Sequence, residues 1–100
     1  MVQLAWDEEK AWVLWPEYFD STRTRLNGRK VSKSRAVPEP TLDQLVAAVR
    51  HLGLQYKAES EKSYPGNWVQ KKGRVLVERS MTKGQLTAKV GEYLVKHQRS

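Results

Sequence analysis

The chain contains no cysteine. Disulfide staples and thiol chemistry are therefore excluded, and the composition fits a reducing compartment. No apolar run approaches the roughly 20 residues that a membrane-spanning helix needs. The opening residues turn acidic at Asp7, Glu8 and Glu9, too early for a secretory leader, so a soluble, cytoplasmic chain is expected. Glycines are present but form neither a Walker-type nor a dinucleotide-binding motif. The most local deficit is of negative charge. Between positions 21 and 36 there is no Asp or Glu, while Arg23, Arg25, Arg29, Lys30, Lys33 and Arg35 all fall there.

That cationic stretch lies within a longer segment, 15–41, which reads as neither strand nor helix. Pro16, Pro38 and Pro40, together with the Asn27-Gly28 pair, break both periodicities. Loops of such length are uncommon in compact domains unless they are functional. Aromatic residues and prolines anchor both ends, so an ordered loop presenting positive charge is expected. Asp20 suits a turn-forming acceptor that rigidifies it.

For the whole chain, 18 basic residues face 11 acidic ones, a net charge of +7 with an isoelectric point near 9.9. An excess of this kind concerns partners rather than fold, and clustered as it is here it points to a polyanion, nucleic acid before membrane. The membrane reading lacks a helix with a basic face opposite a bulky apolar one. One hundred residues suffice for a single domain spanning 1–100, with 1–10 as an N-terminal extension in which Trp6 packs down.

Several elements are legible. Residues 11–15 (Ala11, Trp12, Val13, Leu14, Trp15) form a compact apolar strand stopped by Pro16. Thr41 and Gln44 have the spacing of a capping box, and Leu42, Leu45, Val46, Val49 and Leu52 make the apolar stripe of the helix that follows, ended by Gly53. Residues 54–59 alternate with Leu54, Tyr56 and Ala58 on one face. A second polar loop at 60–73 carries Lys62, Tyr64, Trp68, Lys71 and Lys72, with a turn at Pro65-Gly66. Residues 74–79, opening on Arg74, resume as a strand. Thr82 and Gln85 repeat the capping spacing before a last helix whose inward stripe is Leu86, Val90, Tyr93 and Leu94, and Gly91 suggests a close approach of that helix to the sheet.

The order strand, helix, strand, strand, helix, combined with a right-handed crossover, leaves a gap between two parallel strands that the third fills antiparallel to both. An α+β fold follows: βαββα, a three-stranded antiparallel sheet in order 1-3-2 with both helices on one face, a ferredoxin-like split βαβ. Because strands one and two run parallel, the loops at 16–40 and 60–73 leave from the same end and form one binding edge.

Catalysis is poorly supported. His51 and His97 both sit late on helices, where an imidazole complements the dipole, with no convergent ligands or orienting carboxylate. No metal or cofactor is expected. The Asn27-Gly28 turn beside Arg29 and Lys30 could point N–H groups outward to cradle one phosphate, but taken alone a plain Asn-Gly turn is the better reading. Nucleic-acid binding accounts for more of the residues. Arginine pairs phosphate through a planar fork, and Tyr18, Tyr64 and Trp68 offer rings for unstacked bases. With no helix basic along one face, RNA tips and irregular regions suit this chain better than a DNA groove. A small phosphate-handling enzyme of acylphosphatase type and a basic protein-interaction module are the rival classes.

A set of motifs then occurs in order: Trp15-Pro16-Glu17-Tyr18-Phe19-Asp20, Asn27-Gly28-Arg29-Lys30-Val31, Ala36-Val37-Pro38-Glu39-Pro40-Thr41, Leu52-Gly53-Leu54, Lys62-Ser63-Tyr64-Pro65 with Trp68, and Gly73-Arg74-Val75. Together they resemble the signal recognition particle 19 kDa protein family in its short archaeal form. The resemblance implies a monomeric RNA-binding protein that grips the loop-capped tips of two adjacent helices of the particle's RNA. Holding them side by side prepares the RNA for the signal-sequence-binding GTPase subunit, a partner reached mainly through RNA. By motif, Tyr18, Arg29, Lys30, Lys33 and Arg35 would face one tip, and Lys62, Tyr64 and Trp68 the region of the second. Arg23, Arg25, Asn27, Gly28, Lys71, Lys72 and Arg74 complete the expected RNA surface.

Overall fold

The computed structural model describes residues 10–67 and 69–98, so Trp6 and Trp68 lie outside the described residues. Three strands, β1 (Trp12–Leu14), β2 (Tyr56–Glu59) and β3 (Arg74–Val77), form one sheet in the order β1-β3-β2. β3 pairs antiparallel with both neighbours, with Leu14 opposite Val75 and Ala58 opposite the same residue. The expected order holds, though each strand is two residues shorter than the segment read from the sequence.

Two helices complete the fold, α1 (Leu42–His51) and α2 (Lys83–Gln98). Each begins as its capping box dictates. Thr41 Oγ1 accepts from the Gln44 N–H while Gln44 Oε1 accepts from the Thr41 N–H, and Thr82 and Gln85 exchange the same pair. Gly53, at φ 74°, supplies the left-handed residue beyond α1.

Alternation sets which side of the sheet is dry. Leu14, Val75 and Val77 point into one core with Leu45, Ala48 and Val49 of α1 and Leu86, Val90 and Leu94 of α2, so both helices cover the same face. Val13, Leu76, Lys57, Glu59 and Arg74 belong to the opposite face, where Arg74 Nε bonds Glu59 Oε1 at 2.6 Å across the β2–β3 pair. Among the described residues, no helix is long and apolar enough to cross a membrane.

The long first loop is not draped over this core but built into it. Phe19, Ala36 and Val37 are fully buried and Val31 nearly so. Short 3₁₀ turns at Pro16–Phe19 and Lys33–Arg35 and an isolated parallel bridge between Asp20 and Val37 give it internal order. Gly91 of α2 permits a close approach, but not the expected one. A Cβ there would stand 2.8 Å from the Arg35 carbonyl oxygen, so the neighbour it admits is the loop's second 3₁₀ turn rather than the sheet.

Candidate nucleic-acid interface

Because β1 and β2 run parallel, the loops that follow them leave at one rim, and there they touch. Asn67 Nδ2 donates to Glu17 Oε2 at 2.9 Å across 50 residues of sequence. The Tyr64 ring meets Trp15 at 5.7 Å and Tyr18 at 6.0 Å, both edge-on, the geometry favoured by ring quadrupoles. A Cβ on Gly28 would lie 2.9 Å from the Tyr64 ring, and Gly28 holds φ 116°, so glycine is required there on both counts. The two connections form one ledge.

Asp20 is the hub of that ledge. Nearly all of its surface is buried, at 2% exposure. Oδ1 accepts from the Thr22 N–H at 2.9 Å, the Thr22 hydroxyl at 2.6 Å and the Glu39 N–H at 3.2 Å. Oδ2 faces Lys72 Nζ at 3.9 Å and Arg23 Nε at 4.0 Å. Burial pushes this carboxyl up, but the hydrogen bonds from Thr22 and Glu39 and the Lys72 charge outweigh it and hold it below its ordinary value. Its expected role as a rigidifying acceptor is thus realised, and it reaches the second loop as well.

The cations divide into two groups. One group is turned onto the protein itself. Arg29 donates from Nε to the Arg23 carbonyl at 2.9 Å and from Nη1 to the Val31 carbonyl at 2.8 Å, and Arg23 Nη1 donates to the Asn27 carbonyl at 2.8 Å. Lys72 leans toward Asp20, and Arg74, besides its bond to Glu59, sits 5.6 Å over the Trp15 ring. The other group, Arg25, Lys30, Lys33, Arg35, Lys62 and Lys71, is solvent-exposed. Asp20 and Glu59 are thus spent on fastening the ledge, while six cations stay on its outer surface.

Tyr18, offered as a ring for an unstacked base with loop packing as the alternative, is 8% exposed, with Tyr64 against its edge and the Lys30 ammonium 5.6 Å from its centroid. It is a packing residue, because the Pro16–Phe19 turn rotates it into the core beside Phe19; burial, then Tyr64, pushes its hydroxyl's pKa up. At Asn27-Gly28 the plain turn is found and the phosphate cradle is not. The N–H groups of Asn27 and Arg29 both bond the Thr24 carbonyl, that of Gly28 the Arg25 carbonyl and that of Lys30 the Tyr18 carbonyl. All four point inward, leaving none for an anion. Asn27 is exposed and Tyr64 half-buried, while Trp68 lies outside the described residues.

The sequence reading missed two things. Leu26, at the tip of the first loop, is 99% exposed, and Val69 in the second is 74% exposed. Leu26 could have been found as the lone apolar residue between Arg25 and the Asn27-Gly28 turn. The Glu17–Asn67 tie carries no local signal. Among the described residues, no three His, Asp or Glu side chains converge as a metal site would need.

Comparisons with known proteins agree with this architecture. The pattern of the SRP19 protein family matches residues 13–97. A signal recognition particle 19 kDa protein of Methanobrevibacter smithii is 43% identical over 77 residues, covering 77% of this chain and 86% of that one. Among solved structures, an SRP19 in complex with the S domain of signal recognition particle RNA superposes with a TM-score of 0.77 at 32% identity, covering 81% of this chain and 93% of that one. The SRP19/S-domain RNA complex of Sulfolobus solfataricus gives 0.71 at 28% identity, with 89% and 92% covered.

Proposed function

The chain belongs to the SRP19 protein family, and we propose from that membership and from the ledge that it is an RNA-binding assembly protein of the signal recognition particle. It acts in the cytoplasm as a monomer, without cofactor or catalytic step. The two loops clasp the loop-capped tips of neighbouring RNA helices. Phosphates of the two helices repel one another, and cations lodged between them offset that repulsion, so bound protein holds the helices side by side. The RNA is thereby arranged for the signal-sequence-binding GTPase subunit, which meets this chain mainly through RNA.

One observation carries the reading. Both loops meet at a single rim with Arg25, Lys33, Arg35, Lys62 and Lys71 exposed, while Asp20 and Glu59 are engaged by other cations. The solved relatives hold the S domain of the particle's RNA, which supports the same ligand here. The inward arginines serve the same end by shaping the loop, and the outward ones supply the phosphate contacts.

That division predicts a difference between two substitutions. Arg25→Ala should lower the slope of log affinity against log salt by about 0.7–0.9, the loss of one phosphate contact, and leave stability within about 0.5 kcal/mol. Arg29→Ala should weaken binding and also lower the midpoint of urea denaturation slightly, because two loop carbonyls lose their donor. Filter binding of transcribed S-domain RNA over a salt series, with denaturation of each variant, checks both. An affinity indifferent to salt in the unmodified protein would defeat the assignment.

A further inference from the structure

At the margin of the ledge, positive charge also gathers where the first loop passes the start of α2. Lys30 Nζ stands 5.6 Å and Lys83 Nζ 5.2 Å from the centroid of the same Tyr18 ring. Between them is a cleft of about 300 Å³ lined by Lys30, Lys83, Gly84 and Thr87, none of them acidic. Arg79 adds a third charge nearby, its guanidinium 4.0 Å over the Trp12 ring. Asp20 pairs with Arg23 and Lys72, and Glu59 with Arg74. Neither lysine of the cleft is among them.

Cation–π attraction at such a site positions each ammonium group but neutralises neither. Burial, followed by repulsion from Lys30 and Arg79, pulls Lys83 below its ordinary pKa. Like charges assembled around a buried ring raise the free energy of the unliganded protein. An anion in the cleft would relieve it. The lysine side chains supply the charge; of the first-turn N–H groups of the helix, that of Gln85 is already bonded to Thr82 Oγ1.

We propose that Lys30 and Lys83 form a binding site for one RNA backbone phosphate, extending the interface off the loop rim and onto α2. The inference rests on the RNA-binding reading above and adds a residue from outside both loops. Continuity favours the RNA backbone over a free anion. Lys30 belongs to the cationic loop, and that loop runs on along α2, with its Lys33–Arg35 turn seated at Gly91. Gly84 and Gly91 stand seven residues apart on α2, about 10 Å, so a strand held by Lys33 and Arg35 is within reach of the cleft.

The test is a salt series of S-domain RNA binding by the full chain and by Lys83→Ala, Lys83→Arg and Lys89→Ala, the last an exposed α2 lysine outside the cleft. Lys83→Ala should lower the salt slope by about one and weaken binding equally for RNAs with altered tip bases, the signature of a phosphate contact. Lys83→Arg should restore most of the slope, and Lys89→Ala should leave it unchanged. RNA should also protect the Lys83 amine from acylation, a readout independent of any variant's stability. A wild-type slope in Lys83→Ala, or an amine equally reactive with and without bound RNA, overturns the site while leaving the ledge intact. If the unmodified chain does not bind the RNA at all, the parent reading falls and this site with it.

Discussion

Replacing Asp20 with alanine is expected to lower stability by about 2–3 kcal/mol and to weaken RNA binding more than removal of any single exposed cation. The stability figure follows from what the carboxylate holds. Hydrogen bonds to a charged group contribute about 1.5–3 kcal/mol each, and Asp20 accepts three. Thr22 and Glu39 are exposed, so water replaces much of the loss and the total falls well below the simple sum of three such bonds. The remaining effect is conformational and partly offsets that loss. Glu39 sits at φ 45°, a left-handed geometry that disfavours a non-glycine residue by about 1–2 kcal/mol, and its N–H is fastened by Asp20. Release of that bond frees the turn leading to the α1 cap and detaches Lys72 of the second loop from the first. Urea denaturation with an unchanged m-value and a shifted midpoint would register the loss. A wild-type midpoint in Asp20→Ala would show that the hub is dispensable.

The same residue predicts a pH dependence. Its folded pKa lies below the unfolded one, so its stabilisation is complete above the unfolded value of about 3.9 and is lost as pH falls through the folded value. Glu59, held down chiefly by its hydrogen bond from Arg74, titrates in the same direction. The informative quantity is therefore the difference between the wild type and Asp20→Asn. It should be constant from pH 7 to 5 and shrink below about pH 4.

Local patterns carried most of the fold. Thr41 with Gln44 and Thr82 with Gln85 announce both helices, Gly53 ends the first, and strand order follows from handedness. These signals lie within a few residues of what they specify. The division of the cations is different in kind. Whether Arg29 faces solvent or its own loop depends on where the Arg23 and Val31 carbonyls lie, and Lys72 meets Asp20 only once both loops are in place. Tyr18 shows the same limit. An aromatic residue in a basic loop looks the same in sequence whether it stacks on a base or fills the core, and the Pro16–Phe19 turn decides between them.

Gly91 and Gly84 of α2 give the sharpest contrast between local and tertiary causes. Glycine inside a helix costs about 1 kcal/mol relative to alanine, so propensity alone predicts that alanine stabilises at either position. At Gly84 nothing lies within 4 Å of an added Cβ, and the propensity gain should appear, reduced somewhat by its place in the first turn. At Gly91 the added carbon would stand 2.8 Å from the Arg35 carbonyl oxygen, a backbone atom that cannot rotate away. The loop cannot yield easily either, since Val31 and Ala36 on either side of its 3₁₀ turn are packed in the core. Overpacking of this kind costs about 1–3 kcal/mol, which exceeds the propensity gain over most of that range. Gly84→Ala is thus expected to raise the urea midpoint and Gly91→Ala to lower it, and Gly91→Ala should also weaken RNA binding as Lys33 and Arg35 are displaced together. If both substitutions raised the midpoint, the second 3₁₀ turn would not rest on α2, and the cationic loop would lack the helix that positions it.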